Sequence, residues 1–337
     1  DAASILLAEM IAAQKNICVI GDFDTDGATS TSLAVNALKA FGAHHVHYLV
    51  PNRFKFGYGL TPEIVIAAQV FHPDLIITVD NGIASLEGVE KANSLGMKVI
   101  ITDHHLPGRA LPQAAAIVNP NQPEDYFPSK NLAGVGVIFY MMMALRSCLR
   151  EQGWFIQQNI PEPNLAQFLD LVALGTVADV VPLDHNNRIL VYQGLLRIRA
   201  GECRPGISAL IALGRRKQAE LVAGDLGFMV APRLNAAGRM EDMSLGIECL
   251  LSPTPEQAQP LAYQLELLNQ ERRAVEADMQ QDAYAALQKL ALDNKNLPSG
   301  ICLYKDHWHQ GVTGIIAARL KDRYARPTIA FAKVSEY

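Results

Sequence analysis

The sequence has no CxxC pair, and its five cysteines, Cys18, Cys148, Cys203, Cys249 and Cys302, are odd in number and widely scattered. This argues against a thiolate zinc site and against a disulfide framework, and makes a reducing cytoplasm the expected compartment. Long hydrophobic runs are also missing. The longest nearly unbroken one, residues 133–145, has 13 residues, short of the roughly 18 to 20 that cross a bilayer. The opening DAASILLAEM lacks a basic leader and a small-residue cleavage site, so no secretory signal is expected; it also lacks an initiator Met, so the natural N-terminus is expected upstream. Internal repeats and low-complexity runs are absent. The net charge of −5 gives no global attraction to nucleic acid. Its sign is uneven, however, with nine Lys or Arg against three Asp or Glu from Arg188 to Arg239.

What is present is enough for a large folded protein. The 337 residues, half of them hydrophobic and 19% charged, exceed one ordinary core and suggest two domains or one plus part of another. Short β-branched runs at 16–22, 45–51, 74–80, 98–103 and 115–120 alternate with helical stretches, which predicts an α/β fold with a parallel sheet flanked by helices. Three of these runs end in aspartate, at Asp22, Asp80 and Asp103, and ligands in open α/β sheets sit beyond the carboxyl ends of the strands. Beyond about residue 130 the pattern is helical, with helices predicted over 133–149, 164–174 and 188–199, as an extension of the same domain. A long Gln- and Glu-rich segment over 254–290 reads as a connector helix. A β-α-β pattern then begins, with strands at 301–304 and 328–332 around a helix over 312–324. The domain division is therefore 1–253, a connector over 254–295, and a partial second α/β domain over 296–337.

Four motifs carry the chemistry. GDFDTDG at 21–27 places Asp22, Asp24 and Asp26 at alternate positions after a strand; in extended chain they would share one face, as a hard divalent cation requires. A calcium-type loop or a solvated turn is the competing reading. VDNG puts Asp80 at the end of an apolar strand, where a buried carboxylate needs a partner; a helix cap would serve equally. TDHH gives Asp103, His104 and His105 in a row, and imidazole is a common transition-metal ligand, although structural histidine pairs also occur, as at His44 and His45. In GTVADVVPLD, Asp179 interrupts an apolar stretch. Carboxylates and imidazoles together suit two divalent cations, manganese or magnesium, hydrolysing a phosphate ester. The spacing does not say which carboxylate bridges them. The methionines at 141–143 and the pair Trp154 and Phe155 read as core.

In this order the four motifs resemble those of the DHH phosphoesterase superfamily. The segments VPNRFKFGYGL (50–60), NLAGVGV (131–137) and APRLNAAGR (231–239) resemble its single-strand-specific DNA exonucleases, and HWHQGVTGIIAARL (307–320) resembles the opening of the DHHA1 domain that accompanies the DHH domain. The later glycine-rich motif of DHHA1 and the OB-fold that follows it are not in the sequence. The resemblance implies Asp22, Asp24, Asp26, Asp80, His104 and Asp179 as metal ligands, with Asp22 the least firm of them. Asp103 and His105 would support ligand geometry or touch the scissile phosphate, and the catalytic set would be Asp24, Asp26, Asp80, His104, His105 and Asp179. It further implies 5′→3′ hydrolysis of single-stranded DNA to 5′-mononucleotides in DNA repair and recombination, with a single-strand-binding protein and a helicase as partners.

For holding DNA, Arg53, Phe54, Phe56 and Tyr58 interleave cationic and flat side chains, and the resemblance favours Arg53 and Tyr58 as DNA-facing. Arg233, Asn235 and Arg239 are read as a Pro- and Gly-bounded loop able to clasp a phosphate, against salt bridges to the protein's own acids. His307 and His309 precede a helix start suited to an anion or to a cap. A phosphoesterase of the same superfamily acting on oligoribonucleotides, cyclic dinucleotides or pyrophosphate is the alternative. A non-catalytic scaffold would be expected to have lost ligands, and none of the set is lost.

Overall fold

The computed structural model describes residues 1–54, 56–289 and 298–334. Five strands, β1 (Ile17–Ile20), β2 (Val46–Leu49), β3 (Leu75–Val79), β4 (Lys98–Thr102) and β5 (Ala116–Val118), form one parallel sheet in the order β2-β1-β3-β4-β5. Alternate residues of each strand serve opposite cores. Ile17, Val19, Ile77 and Ile100 pack with Leu7, Leu33, Leu38, Ile138 and Leu145 of the helices Ala2–Ala12, Thr25–Ala40 and Gly134–Glu151. Cys18, Ile20, Ile76 and Val99 pack on the other face with Ile64 and Val89 of the helices Pro62–Ala68 and Leu86–Ser94. With both faces covered, the strands are continuous apolar runs. The strand order reverses between β1 and β3, which opens a crevice at the carboxyl edge of the sheet.

The expected strand ending in alternating aspartates is shorter than predicted. β1 stops at Ile20, and Asp24 caps the helix Thr25–Ala40, accepting from the Gly27 amide at 2.9 Å. A turn into a helix, rather than an extended pleat, therefore gathers the three acids. The segment expected as a loop around Arg233, Asn235 and Arg239 is the helix Ala231–Met240, entered through the π-helical turn Leu226–Val230. Pro232 lies in its first turn, where the missing N–H costs nothing. Gly238 lies inside it because a Cβ there would come 1.9 Å from the Phe23 carbonyl oxygen. Both residues had read as loop punctuation. The helix expected over 164–174 is a 3₁₀ turn, Leu165–Phe168, running into Leu169–Ala178, and that expected over 188–199 starts at His185 under an Asp184 cap. Met141, Met142, Trp154 and Phe155 are buried, whereas Met143 is exposed.

The helix Pro255–Lys289 carries Met279, Ala283 and Leu287 into a small core with Trp308, Val312, Ile316 and Leu320. These come from the unit formed by parallel strands β6 (Ile301–Lys305) and β7 (Thr328–Ala332) and the helix Thr313–Tyr324. Glu276 of the long helix pairs with Arg272 at 2.5 Å and with Arg319 of the second unit. Residues 290–295 of the expected connector, and 296–297 and 335–337 of the expected final domain, lie outside the described residues.

Candidate metal centre

The acids beyond β1, β3 and β4 meet the end of the helix Leu169–Ala178 at the carboxyl edge of the sheet. Asp22, Asp26, Asp80 and Asp103 are all less than 5% exposed. Asp80 follows β3 with φ +62°, while its amide still donates to the Thr102 carbonyl at 3.0 Å. Asp179 caps the C-terminus of Leu169–Ala178, and the next residue, Val180, has φ +61°. Left-handed backbone at non-glycine residues costs on the order of 1–3 kcal/mol each and clusters at functional sites. Of the eight described non-glycine residues with positive φ, two, Asp80 and Val180, are here a candidate ligand and a candidate ligand's neighbour.

Three overlapping sets bring one ligand atom per residue within 4.8 Å of one another: Asp22 with Asp24 and Asp80, Asp26 with His104 and Asp179, and Asp80 with His104 and His105. His104 Nε2 stands 3.1 Å from Asp80 Oδ1 and 3.5 Å from Asp179 Oδ2. The electrostatics follow from crowding like charges in a dry crevice. Burial and the charge of Asp24 push both Asp22 and Asp179 up to about 7. Asp26 and Asp80 are raised well above the ordinary carboxylate range by burial and then by neighbouring acids. His104 is lowered to about 4 by burial and by His105, so it is neutral and keeps a lone pair to offer. His105 is raised, first by its hydrogen bond to Asp103.

The supporting shell is built from main-chain contacts. Asp26 accepts from the amides of Gly134 at 2.6 Å and Val135 at 3.0 Å, the N-terminus of the helix Gly134–Glu151, where a carboxylate is favoured. Gly134 is required by proximity, since a Cβ would fall 2.5 Å from Asp80 Oδ1. Although burial opposes its charge, Asp103 is held below the usual range by His105 Nδ1 at 2.7 Å and by the amides of Ile83, His104 and His105. It is thereby committed to holding the loop. Asn81 Nδ2 donates to the carbonyls of Ile20, Gly21 and Val79, tying the ends of β1 and β3 together. Sequence reasoning assigned no role to Asn81 or to Asn119 and Asn121. The rule that ligands gather at strand ends, applied to β5 as well, would have found the last two.

The donor set fits divalent cations. Asp80 Oδ1 and His104 Nε2 are both buried, 3.1 Å apart, and neither makes a hydrogen bond to any other group. The His104 ring makes its other hydrogen bond to the Leu132 backbone, the outer-shell contact that orients a metal-ligating imidazole. Buried polar atoms left open in this way need a partner that the protein does not supply.

The residues expected to face DNA separate into two groups. Arg53 lies over the Phe23 ring at 4.1 Å and Tyr58 is edge-on to Phe23, its hydroxyl 3.4 Å from the Asp80 carbonyl and 3.5 Å from the His105 ring, so both border the acids. Arg239 is close enough for burial and Asp24 to affect its ionisation, and its guanidinium donates to the Gly311 carbonyl at 3.3 Å. His309 packs edge-on to Phe54 and accepts from the Gly311 amide. The rest are committed elsewhere. Arg233 is 7% exposed and bound to Glu266 at 2.5 Å and to the Met229 carbonyl, while Asn235 Oδ1 accepts from the amide and hydroxyl of Thr25. His307 pairs with Asp282 at 2.6 Å. A cleft of about 640 Å³ opens beside Tyr58, Asp103 and His105.

A parallel α/β sheet whose carboxyl edge carries clustered aspartates and a histidine pair defines a class of metal-ligating α/β proteins. Residues 16–176 match the model of the DHH family, N-terminal domain. The single-stranded-DNA-specific exonuclease RecJ of Dickeya dadantii (strain 3937) is 56% identical over 98% of this chain and 58% of its own length; that of Escherichia coli (strain K12) is 57% identical over 95% and 56%. A crystal structure of exonuclease RecJ bound to manganese superposes with a TM-score of 0.83 at 34% identity, covering 98% of this chain and 79% of that one. The chain belongs to the DHH family, in its RecJ branch. It spans a little over half the length of the curated relatives it matches. Among the described residues no helix is long and apolar enough to cross a membrane.

Proposed function

We propose that this chain is the catalytic part of a 5′→3′ exonuclease specific for single-stranded DNA, acting with two divalent cations, manganese or magnesium. The observation that carries the reading is the buried acid and histidine cluster with Asp80 Oδ1 and His104 Nε2 left open. Asp22, Asp24 and Asp80 would hold one cation and Asp26, His104 and Asp179 the other, with Asp80 reaching both sets. Bound there, the cations would lower the pKa of water and offset charge on the phosphoryl oxygens.

The protein's own groups do the rest. The Gly134 and Val135 amides orient Asp26, and neutral His104 presents Nε2. Water adds to the phosphorus between the first and second nucleotides, its released proton passing to solvent, from which His105 is recharged, and the P–O3′ bond breaks. The phosphate stays on the 5′ end of the shortened strand, and a 5′-mononucleotide leaves with a 3′-hydroxyl. That hydroxyl needs a proton. His105, its basicity raised by Asp103 and its side chain 46% exposed, is the group placed to give it. Arg53 and Arg239 supply phosphate contacts, and Tyr58 supplies a flat face for a base. A place in cytoplasmic DNA repair and recombination, beside a single-strand-binding protein and a helicase, is part of the same proposal. The division 1–253, 254–295 and 296–337 is the matching domain proposal.

End-labelled single and double strands incubated with Mn2+ or Mg2+ test the reading. Mononucleotides should appear from the 5′ end of single strands only, and release should vanish in Asp80→Ala. Turnover confined to dinucleotides, cyclic dinucleotides or pyrophosphate would refute it.

A further inference from the structure

The dipeptide His104–His105 lies beyond the last residue of β4, where no sheet partner fixes it. Its two amides donate to Asp103 Oδ1, at 2.8 and 3.1 Å. Its two carbonyls are taken by the segment that follows β5. Asn121 Nδ2 donates to the His104 carbonyl at 2.6 Å and Asn119 Nδ2 to the His105 carbonyl at 2.9 Å. The Asn119 carboxamide is itself locked, because the Asn121 main-chain amide donates to Asn119 Oδ1 at 2.7 Å and Asn119 is 2% exposed. Three side chains thus hold all four main-chain polar groups of the pair. Two of these side chains belong to a different strand end.

We infer that Asn119 and Asn121 are positioning residues: they clamp the carbonyls of the histidine pair and so aim His104 Nε2 at Asp80 and Asp179, raising affinity for a divalent cation. The inference rests on the metal reading above. A packing role alone would call for bulk at these positions. Donors aimed at two successive carbonyls set the peptide planes, and with them the direction of each Cα–Cβ bond. Loss of an orienting outer-shell partner costs about 10- to 100-fold in metal affinity.

Asn119→Asp and Asn121→Asp keep size and shape but replace the donor with an acceptor facing a carbonyl oxygen. Asn119→Asp also retains the oxygen that receives the Asn121 amide. Mn2+ binding by isothermal titration and melting in chelator are measured on the parent and both variants. The expected result is Mn2+ affinity lowered about 10- to 100-fold in at least one variant that melts, in chelator, close to the parent, with activity recovering as Mn2+ is raised. Folded variants binding Mn2+ within about 2-fold of the parent would overturn the inference. Should neither Asp variant fold, Asn121→Ser removes the contact with the loop less burdened, and parent-like Mn2+ affinity in it counts equally against. If the parent binds no Mn2+, the metal reading fails instead.

Discussion

Replacing Gly134 by alanine adds one methyl group and sets two effects against each other. Helix propensity favours alanine by roughly 0.5–1 kcal/mol in a helix interior, and by less at the first residue, which Gly134 occupies. Packing opposes it, because the Cβ would lie 2.5 Å from Asp80 Oδ1, 2.6 Å from Asp80 Cβ and 2.7 Å from Asp80 Cγ. Asp80 cannot yield easily: it is 2% exposed, sits at φ +62° and is tied through its amide to Thr102. If the helix retreats instead, Asp26 loses the amides of Gly134 and Val135. Overpacking costs about 1–3 kcal/mol, so the net effect is a destabilisation of about 1–2 kcal/mol, a melting point lower by a few degrees. Either relaxation moves a ligand, and Mn2+ affinity should fall about 10- to 100-fold. Gly136→Ala is the control on the same helix, where the Cβ would meet only the end of the Leu132 side chain, at 2.9 Å. Titration calorimetry and melting on both variants decide the matter. Gly134→Ala binding Mn2+ like the parent, with an unchanged or higher melting point, would refute the reasoning.

Further outcomes follow from the same site. Asp22 and Asp179 are raised to about 7 in the folded protein, so they bind protons more tightly folded than unfolded, and their contribution is present at low pH and lost as pH rises to about 7. Without metal, melting temperature should fall across that window, and Mn2+ should reverse the trend because it binds deprotonated ligands; a chelator-treated protein that gains stability over the window would contradict the assignment. Arg53→Ala should raise KM for single-stranded DNA and flatten the salt dependence by about one unit of slope, while an unchanged slope would remove Arg53 from the phosphate path. Tyr58→Phe should be nearly silent, since the hydroxyl contacts of 3.4 and 3.5 Å are long, whereas Tyr58→Ala should lose about 1–3 kcal/mol of stacking; equal losses in single-strand affinity would show that the hydroxyl, not the ring, carries the contact.

The sheet was legible because fully buried parallel strands are written as apolar runs, and Asp22, Asp80 and Asp103 marked their ends. The sequence alone did not show how the acids are brought together. Asp22, Asp24 and Asp26 suggested a pleat, yet the Asp24 cap turns the chain into a helix at once, and local spacing cannot distinguish the two. Arg233 and Asn235 were misplaced in a loop because Pro232 and Gly238 are breakers in isolation. In the fold they are a first-turn proline and a point of backbone contact with Phe23. Asn119 and Asn121 stand where the strand-end rule points, just past β5, but one sequence does not show that they, like Asn81 across β1, pair with carbonyls of other strand ends.

The candidate ligands run from residue 22 to residue 179 and come from the ends of three strands and one helix. No local segment holds enough of them to bind a cation while the chain is still open. The full set exists only once β1, β3, β4 and the helix Leu169–Ala178 have come together, so ion binding is expected late on the folding route. Stabilisation gained after the transition state slows unfolding and leaves refolding almost unchanged. A cation bound at this site would therefore act as a brake on unfolding: it would lengthen the lifetime of the folded chain without speeding its formation.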